Sequence, residues 1–172
     1  MTEQEKYMKA ALRLAQRSAA EGEVPVGCVV VCDGKIVGRG RNRRETKKTA
    51  LSHAEIEAIG KACKKLGGWR LHRCDLYVTL EPCPMCAGAI INARIKTVYY
   101  GADDPKAGSC GSLINLFDVA YNHKPMVVRG VLKEQCAAAL TDFFRALREK
   151  RKQEKQLARE ATQTEEDKDT EE

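Results

Sequence analysis

Apolar positions fall on a helical stripe over residues 3–20, where Met8, Ala11, Leu12, Ala15 and Ala19 recur at three- and four-residue spacings. Glu21-Gly22-Glu23 interrupts the stripe, and the period then shortens. Val26–Cys32 and Lys35–Arg41 are β-prone runs joined by Asp33-Gly34, a pair suited to the left-handed positions of a tight hairpin. A polar stretch, Asn42 to Ser52, follows. Ser52 with Glu55 three residues on has the form of a helix start, predicting a helix from His53 to about Lys65 that Gly67-Gly68 ends. Asp75–Leu80 reads as a strand, Pro84–Ala93 as a helix, Ile95–Tyr100 as a strand and Asp103–Ser112 as a loop. Leu113–Tyr121 is expected to be partly helical and Met126–Leu132 to be a strand. Glu134 opens a long helix, apolar-periodic through Cys136, Leu140, Phe143, Phe144 and Leu147. A helix, a hairpin and then alternating strands and helices describe a layered α/β domain of about five strands, the last three parallel. There is no internal repeat.

Composition narrows the class. The chain has 172 residues, 43% hydrophobic and 31% charged, enough apolar material for a packed core. The longest apolar run, Val24–Cys32, is half the ~18 residues of a membrane span, and Pro25 and Gly27 interrupt it. The charged N-terminus lacks the basic-then-apolar layout of a signal peptide, so a cytoplasmic location without membrane contact is expected. There the eight cysteines would stay reduced, as metal ligands or small buried hydrophobes. The net charge of +6 is uneven: residues 149–172 hold six Lys/Arg and nine Asp/Glu, leaving 24 basic and 15 acidic residues in 1–148. A basic body with an acidic tail suits a polyanionic partner, although many soluble proteins are basic for no specific reason. The chain divides on this reading into a domain, 1–150, and a charged tail, 151–172, a helical continuation expected to be disordered after Thr162.

Two fragments carry chemistry, His53-Ala54-Glu55 and Pro82-Cys83-Pro84-Met85-Cys86. Cys83 and Cys86 are three apart at a helix start, so both sulfurs can face one ion, and His53 adds an imidazole from the start of the neighbouring helix. Two thiolates and an imidazole select tetrahedral Zn²⁺, and three protein ligands leave a fourth position for solvent. Glu55 is two residues beyond His53, about 200° round a helix, and poorly aimed to ligate the same ion. It is well placed to take a proton from water beside the metal and carry it to a substrate. Two other readings fit the spacing. A structural Cys₂His site could recruit a fourth ligand from Cys63, Cys74, Cys110, Cys136, His72 or His123, or Cys83 and Cys86 could form a redox dithiol. Neither accounts for Glu55.

At these residues the chain resembles the zinc-dependent nucleoside and nucleobase deaminases, with their His-x-Glu and Pro-Cys-x-x-Cys signature. Glu23-Val24-Pro25-Val26-Gly27, Asn42, Tyr77–Cys83 and Asp142-Phe143-Phe144-Arg145 narrow the resemblance to the bacterial tRNA-specific adenosine deaminases, over roughly residues 3–150. The resemblance implies a three-layer α/β/α cytidine-deaminase-like fold, a mixed sheet of about five strands flanked by helices. It implies hydrolytic deamination of a wobble adenosine in a tRNA anticodon to inosine, by a homodimer with one zinc per subunit and no organic cofactor. His53, Cys83 and Cys86 would hold the metal, and Glu55 would shuttle protons.

Around this centre Asn42, in strand parity with Gly38 and Gly40, is expected to face inward and read a purine edge, the glycines leaving room for a flipped base. The resemblance favours that reading over a simple loop start. Val26 is a candidate pocket wall. Arg43, Arg44, Lys47 and Lys48 form a basic loop for phosphates or solvent. Asp104 opposes a polyanion unless it meets a donor such as a ribose 2′-hydroxyl, with Lys106 beside it; the plainer reading is a turn-forming Asp-Pro. Phe144 and Arg145 are preferred, on the resemblance, for stacking and phosphate contact at the last helix. Trp69, Tyr99 and Tyr100 are expected in the core. Two further functional readings remain open: a deaminase of free bases or nucleotides with a closed pocket, and a zinc-stabilised RNA-binding module without catalysis.

Overall fold

The computed structural model describes residues 1–169, with side chains through 163. The chain divides into two compact units, Met1–Leu140 and Thr141–Glu172. In the first, α1 (Glu3–Ala20) begins with a reciprocal cap: the Glu5 amide donates to Thr2 Oγ1 at 3.1 Å and the Thr2 amide to Glu5 Oε2 at 2.9 Å. Its buried stripe includes Tyr7, Met8, Ala11, Leu12, Ala15 and Ser18. Ser18 occupies the place predicted for Ala19, and its hydroxyl is paired, donating to the Asn42 carbonyl at 2.8 Å.

The hairpin follows as β1 (Gly27–Cys32) and β2 (Lys35–Arg41), with Asp33 at φ 48° and Gly34 at φ 73° in the turn. After a short helix, α2 (Arg44–Lys47), come α3 (Ala54–Leu66), β3 (Cys74–Leu80), α4 (Pro84–Asn92) and β4 (Thr97–Ala102). A 3₁₀ turn (Leu116–Asp118), β5 (Met126–Val128) and α5 (Lys133–Asp169) complete the order. The sheet runs β2-β1-β3-β4-β5; β1 is antiparallel to both neighbours, and β3, β4 and β5 are parallel. Mixed topology and the three parallel strands agree with the pattern-based expectation.

Strand alternation sorts β1 between two cores. Cys28, Val30 and Cys32 pack with α3 and α4, whereas Val29 and Val31 pack with α1 and the first turns of α5, giving three layers. Glycine sets the depth of this packing. A Cβ on Gly27 would lie 2.0 Å from the Ala11 carbonyl oxygen of α1, and one on Gly40 would lie 1.9 Å from that of Ala54 in α3. Both helices therefore rest their backbones directly on the hairpin, one from each side. The space beside Gly38 and Gly40, expected to admit a base, is filled by α3 instead.

Other boundaries differ for local reasons. His53, not Ser52, is the N-cap of α3. β5 is shorter than predicted because Gly130 at φ 76° and Leu132 at φ 53° turn the chain towards α5. Trp69 is 52% exposed, outside the core where it was expected. The α5 backbone stays helical to Asp169, past Thr162, after which composition predicted disorder; the end of that expectation, 170–172, lies outside the described residues. Among the described residues no helix is long and apolar enough to cross a membrane.

Candidate active site

β2 and β3 run in the same direction, each antiparallel to β1, and this fixes where chemistry sits. α3 and α4 start at one end of the sheet, and their N-cap positions are His53 and Cys83, both in extended backbone and neither using its side chain to cap. Pro84 follows at the first helical position, where no amide hydrogen is needed. His53 Nδ1 lies 3.6 Å from Cys83 Sγ and 3.5 Å from Cys86 Sγ. A tetrahedral zinc with ordinary Zn–N and Zn–S lengths needs an N···S separation of about 3.6 Å, so the donor set fits that ion. Among the described residues these three form the group of candidate ligand atoms lying within 4.8 Å of one another, and none of Cys63, Cys74, Cys110, Cys136, His72 or His123 joins it. The arrangement is that of a three-ligand site.

Electrostatics favour one thiolate here, on Cys83. The two helix N-termini present partial positive charge to the sulfurs. The Cys83 thiol is held down to about 4, first by its hydrogen bond with Cys86 and then by His53, while Cys86 is pushed up by the same partnership and by burial. The interaction with Cys83 raises His53. Glu55, 4% exposed in the first turn of α3, is pushed up by burial to about 7 and lies against Cys86. A carboxyl near 7 can both accept and return a proton at neutral pH.

A cavity of about 200 Å³ opens over this group, lined by Val24, Val26, Asn42, Arg44, His53, Glu55, Cys83 and Asp104 among others. That is below the ~300 Å³ of the smallest drug-sized pockets, a size for one planar base. Asn42 is buried, with Nδ2 donating to the Val24 carbonyl at 3.1 Å and Oδ1 accepting from the Arg44 amide at 3.4 Å. One amide hydrogen and one lone pair remain for a ligand. Asp104 makes the turn that the plainer reading described: Oδ1 accepts from the Lys106 and Ala107 amides at 3.0 and 3.2 Å. The Lys106 side chain is exposed. Of the basic loop, Arg44 lines the cavity, while Arg43 and Lys47 turn to Glu57.

In the second unit, Phe144 is 40% exposed and meets Phe143 edge to face at 5.4 Å, and Arg145 pairs with Asp142 at 3.3 Å. Two buried carboxylates, both within segments that carry the resemblance, were given no role in the site by the sequence reading. Glu23 accepts from the Glu45 and Thr46 amides at 3.3 and 2.7 Å, holding the start of α2. Glu81 accepts from the Asp104, Cys110 and Ser112 amides, each at 3.0 Å, and ties the loop after β4 to the start of α4. Neither had a periodic or spacing signal; an acid flanked by apolar residues, as in Leu80-Glu81-Pro82, was the trace available.

Comparison with known proteins agrees with this geometry. The profile of the MafB19-like deaminases matches residues 2–148. The tRNA-specific adenosine deaminase of Bacillus subtilis (strain 168) is 50% identical over 153 residues, 88% of this chain and 95% of that protein. Its counterpart in Haemophilus influenzae is 46% identical over 155 residues, 89% and 90% of the two chains. A solved structure from work on A-to-I editing by tRNA:A34 deaminases at the wobble position of transfer RNA superposes with TM-score 0.76 at 43% identity, covering 78% of this chain and 99% of that one. The guanine deaminase of Bacillus subtilis superposes with TM-score 0.57 at 36% identity, over 84% and 93%. With half its residues shared along nearly the full length of one such enzyme, the chain belongs to the deaminases and, among them, to the tRNA-specific adenosine deaminase family.

Proposed function

We propose that this protein deaminates the wobble adenosine of a tRNA anticodon, converting adenosine and water to inosine and ammonia, with one zinc held by His53, Cys83 and Cys86. The observation that carries the reading is the convergence of these three donors beside buried Glu55 in a cavity of one base's size. Zinc, when bound, lowers the pKa of water to roughly 7 and so supplies a nucleophile at neutral pH.

The chain's own residues do the rest. Glu55 takes a proton from the attacking water, delivers it to purine N1, and passes a second proton to the departing amine at C6. Asn42 offers its remaining donor and acceptor to the purine edge, and Val26 packs against the base. Asp104, with Oδ1 committed to its turn, keeps Oδ2 to accept from a ribose 2′-hydroxyl. Lys106 and Arg145 take phosphates and Phe144 stacks on an unpaired base. The catalytic domain is 1–150 and the charged tail 151–172; the protein works as a cytoplasmic homodimer.

The test is incubation of purified protein with a tRNA anticodon stem-loop and a matched DNA hairpin, reading adenosine converted to a base that pairs as guanosine. Inosine should form in the RNA, in proportion to bound zinc, and Glu55→Ala should keep zinc and RNA binding while losing turnover by several orders of magnitude. Undiminished turnover in that variant overturns the mechanism. The likeness to a guanine deaminase supports a second reading, release of ammonia from free guanine. Faster turnover of guanine than of the stem-loop would replace the first reading with the second.

A further inference from the structure

Between Glu57 and Asp75 the chain holds five Lys/Arg (Lys61, Lys64, Lys65, Arg70 and Arg73) and no Asp or Glu over seventeen residues. This stretch contains the protein's single tryptophan, Trp69, which lies 52% exposed. The Arg70 guanidinium stands 4.2 Å and that of Arg94 5.8 Å from the indole centroid. Arg94 is held there by donating to the Ile91 carbonyl at 2.8 Å. Lys61 is committed to Glu57 and Arg73 to Asp33, but Lys64, Lys65, Arg70 and Arg94 form no ion pair among the described residues. An indole is among the largest apolar groups a fold can bury, and leaving it at the surface among unpaired cations calls for a partner.

Topology fixes where this patch stands. α3 and α4 each carry metal donors at their first turn; Trp69 and Arg70 follow the end of α3, and Arg94 follows the end of α4. A 13-residue helix at 1.5 Å per residue separates the patch from the pocket by about 20 Å. A group recognised there is therefore not the reacting base. It is a different part of a long ligand.

We propose that Trp69, Arg70 and Arg94, with Lys64 and Lys65, form a second RNA-contact surface that holds the body of the tRNA while its anticodon occupies the cavity. This deepens, and rests on, the tRNA reading above. The cations neutralise phosphates, which supplies sequence-independent affinity and register. The indole packs against a sugar or an unpaired base, the usual use of an aromatic beside Arg on RNA. A second copy of this chain fits less well, because a two-fold contact centred on this patch would set two uncompensated positive patches against each other.

Trp69 is its own probe. Excitation of the sole indole in the Glu55→Ala protein, titrated with full-length tRNA, should give a saturable emission change that salt reverses. Arg70→Ala and Lys64→Ala should each raise KM for full-length tRNA several-fold with kcat unchanged. Each should also lower the slope of log KM against log salt by about one. Unchanged emission, or variants with wild-type KM and salt slope, overturns the surface. Emission that depends on protein concentration without RNA also overturns it, in favour of a contact between copies. A wild-type enzyme that deaminates no RNA overturns the proposed function; a tRNA-dependent emission change would still uphold the patch, and its absence would remove that too.

Discussion

Two glutamates two residues apart on α3 show how environment, not position, decides chemistry. Both sit in the first turn, where the helix dipole favours negative charge. Glu55 faces the cavity floor, and burial pushes its carboxyl up to about 7. Glu57 is also penalised by burial, yet its carboxyl is held below the usual range. The Arg41 amide donates to its Oε2 at 3.1 Å, Lys61 Nζ stands 3.1 Å from its Oε1, and Arg43 also pairs with it. An acid with a depressed folded pKa contributes stability that is complete above its unfolded value of 4.5 and is lost as pH falls through the folded one. Glu57→Gln should therefore cost about 1–2 kcal/mol at pH 7 by urea denaturation, because the half-buried Arg41 amide and the cations around it lose a charged acceptor. The gap between variant and wild type should narrow below pH 4.5 and close at lower pH. A gap of constant size from pH 7 to pH 3.5 would mean that packing, rather than charge, is what Glu57 contributes.

At the level of elements, the first turn of α3, next to His53, is placed by a face of β2 that lacks side chains at Gly38 and Gly40. Alanine at Gly40 would put its Cβ 1.9 Å from the Ala54 carbonyl oxygen, inside the turn that follows His53, and backbone cannot yield as a side chain tip would. Gly40→Ala should cost about 1–3 kcal/mol of stability and weaken zinc binding, measured by competition with a chromophoric chelator. Gly60 is the control: it lies on α3 with nothing within 4 Å of an added Cβ, so Gly60→Ala should gain about 0.5–1 kcal/mol and leave zinc affinity alone. Equal effects of the two substitutions would refute the contact as their cause. These same glycines mark where the sequence was legible and where it was not. Parity put Gly38 and Gly40 on Asn42's face of β2, but no pattern in one strand reveals which neighbour occupies the space above it. Hairpin, helix stripes and parallel order were readable because they rest on local period and turn chemistry. The spacing that brings His53, Cys83 and Cys86 together was readable for the same reason. Glu23, Glu81 and the exposure of Trp69 depend on partners far along the chain, which local pattern does not encode.

Across the whole molecule, charge and structure separate along the chain. Buried side chains among the described residues end at Cys136, and every described side chain from Arg148 to 163 is exposed. Residues 153–172 carry three Lys/Arg against eight Asp/Glu, so their removal raises the formal net charge from +6 to +11. A chain ending at Lys152 loses no buried side chain among the described residues and should unfold at the same urea concentration as the full chain. Its affinity for tRNA should nevertheless rise at low ionic strength, because fewer carboxylates compete with phosphates for the basic body. Salt should erase that difference, since electrostatic reach falls to about 10 Å at 0.1 M. Steady-state deamination at 20 and 200 mM salt separates the cases: a KM lowered only at 20 mM, with kcat constant, identifies the tail as a long-range electrostatic modulator. If KM falls equally at both salts, the acidic residues act through a short-range contact instead. If truncation lowers the unfolding midpoint, the second unit supports the first in a way its exposed side chains do not indicate.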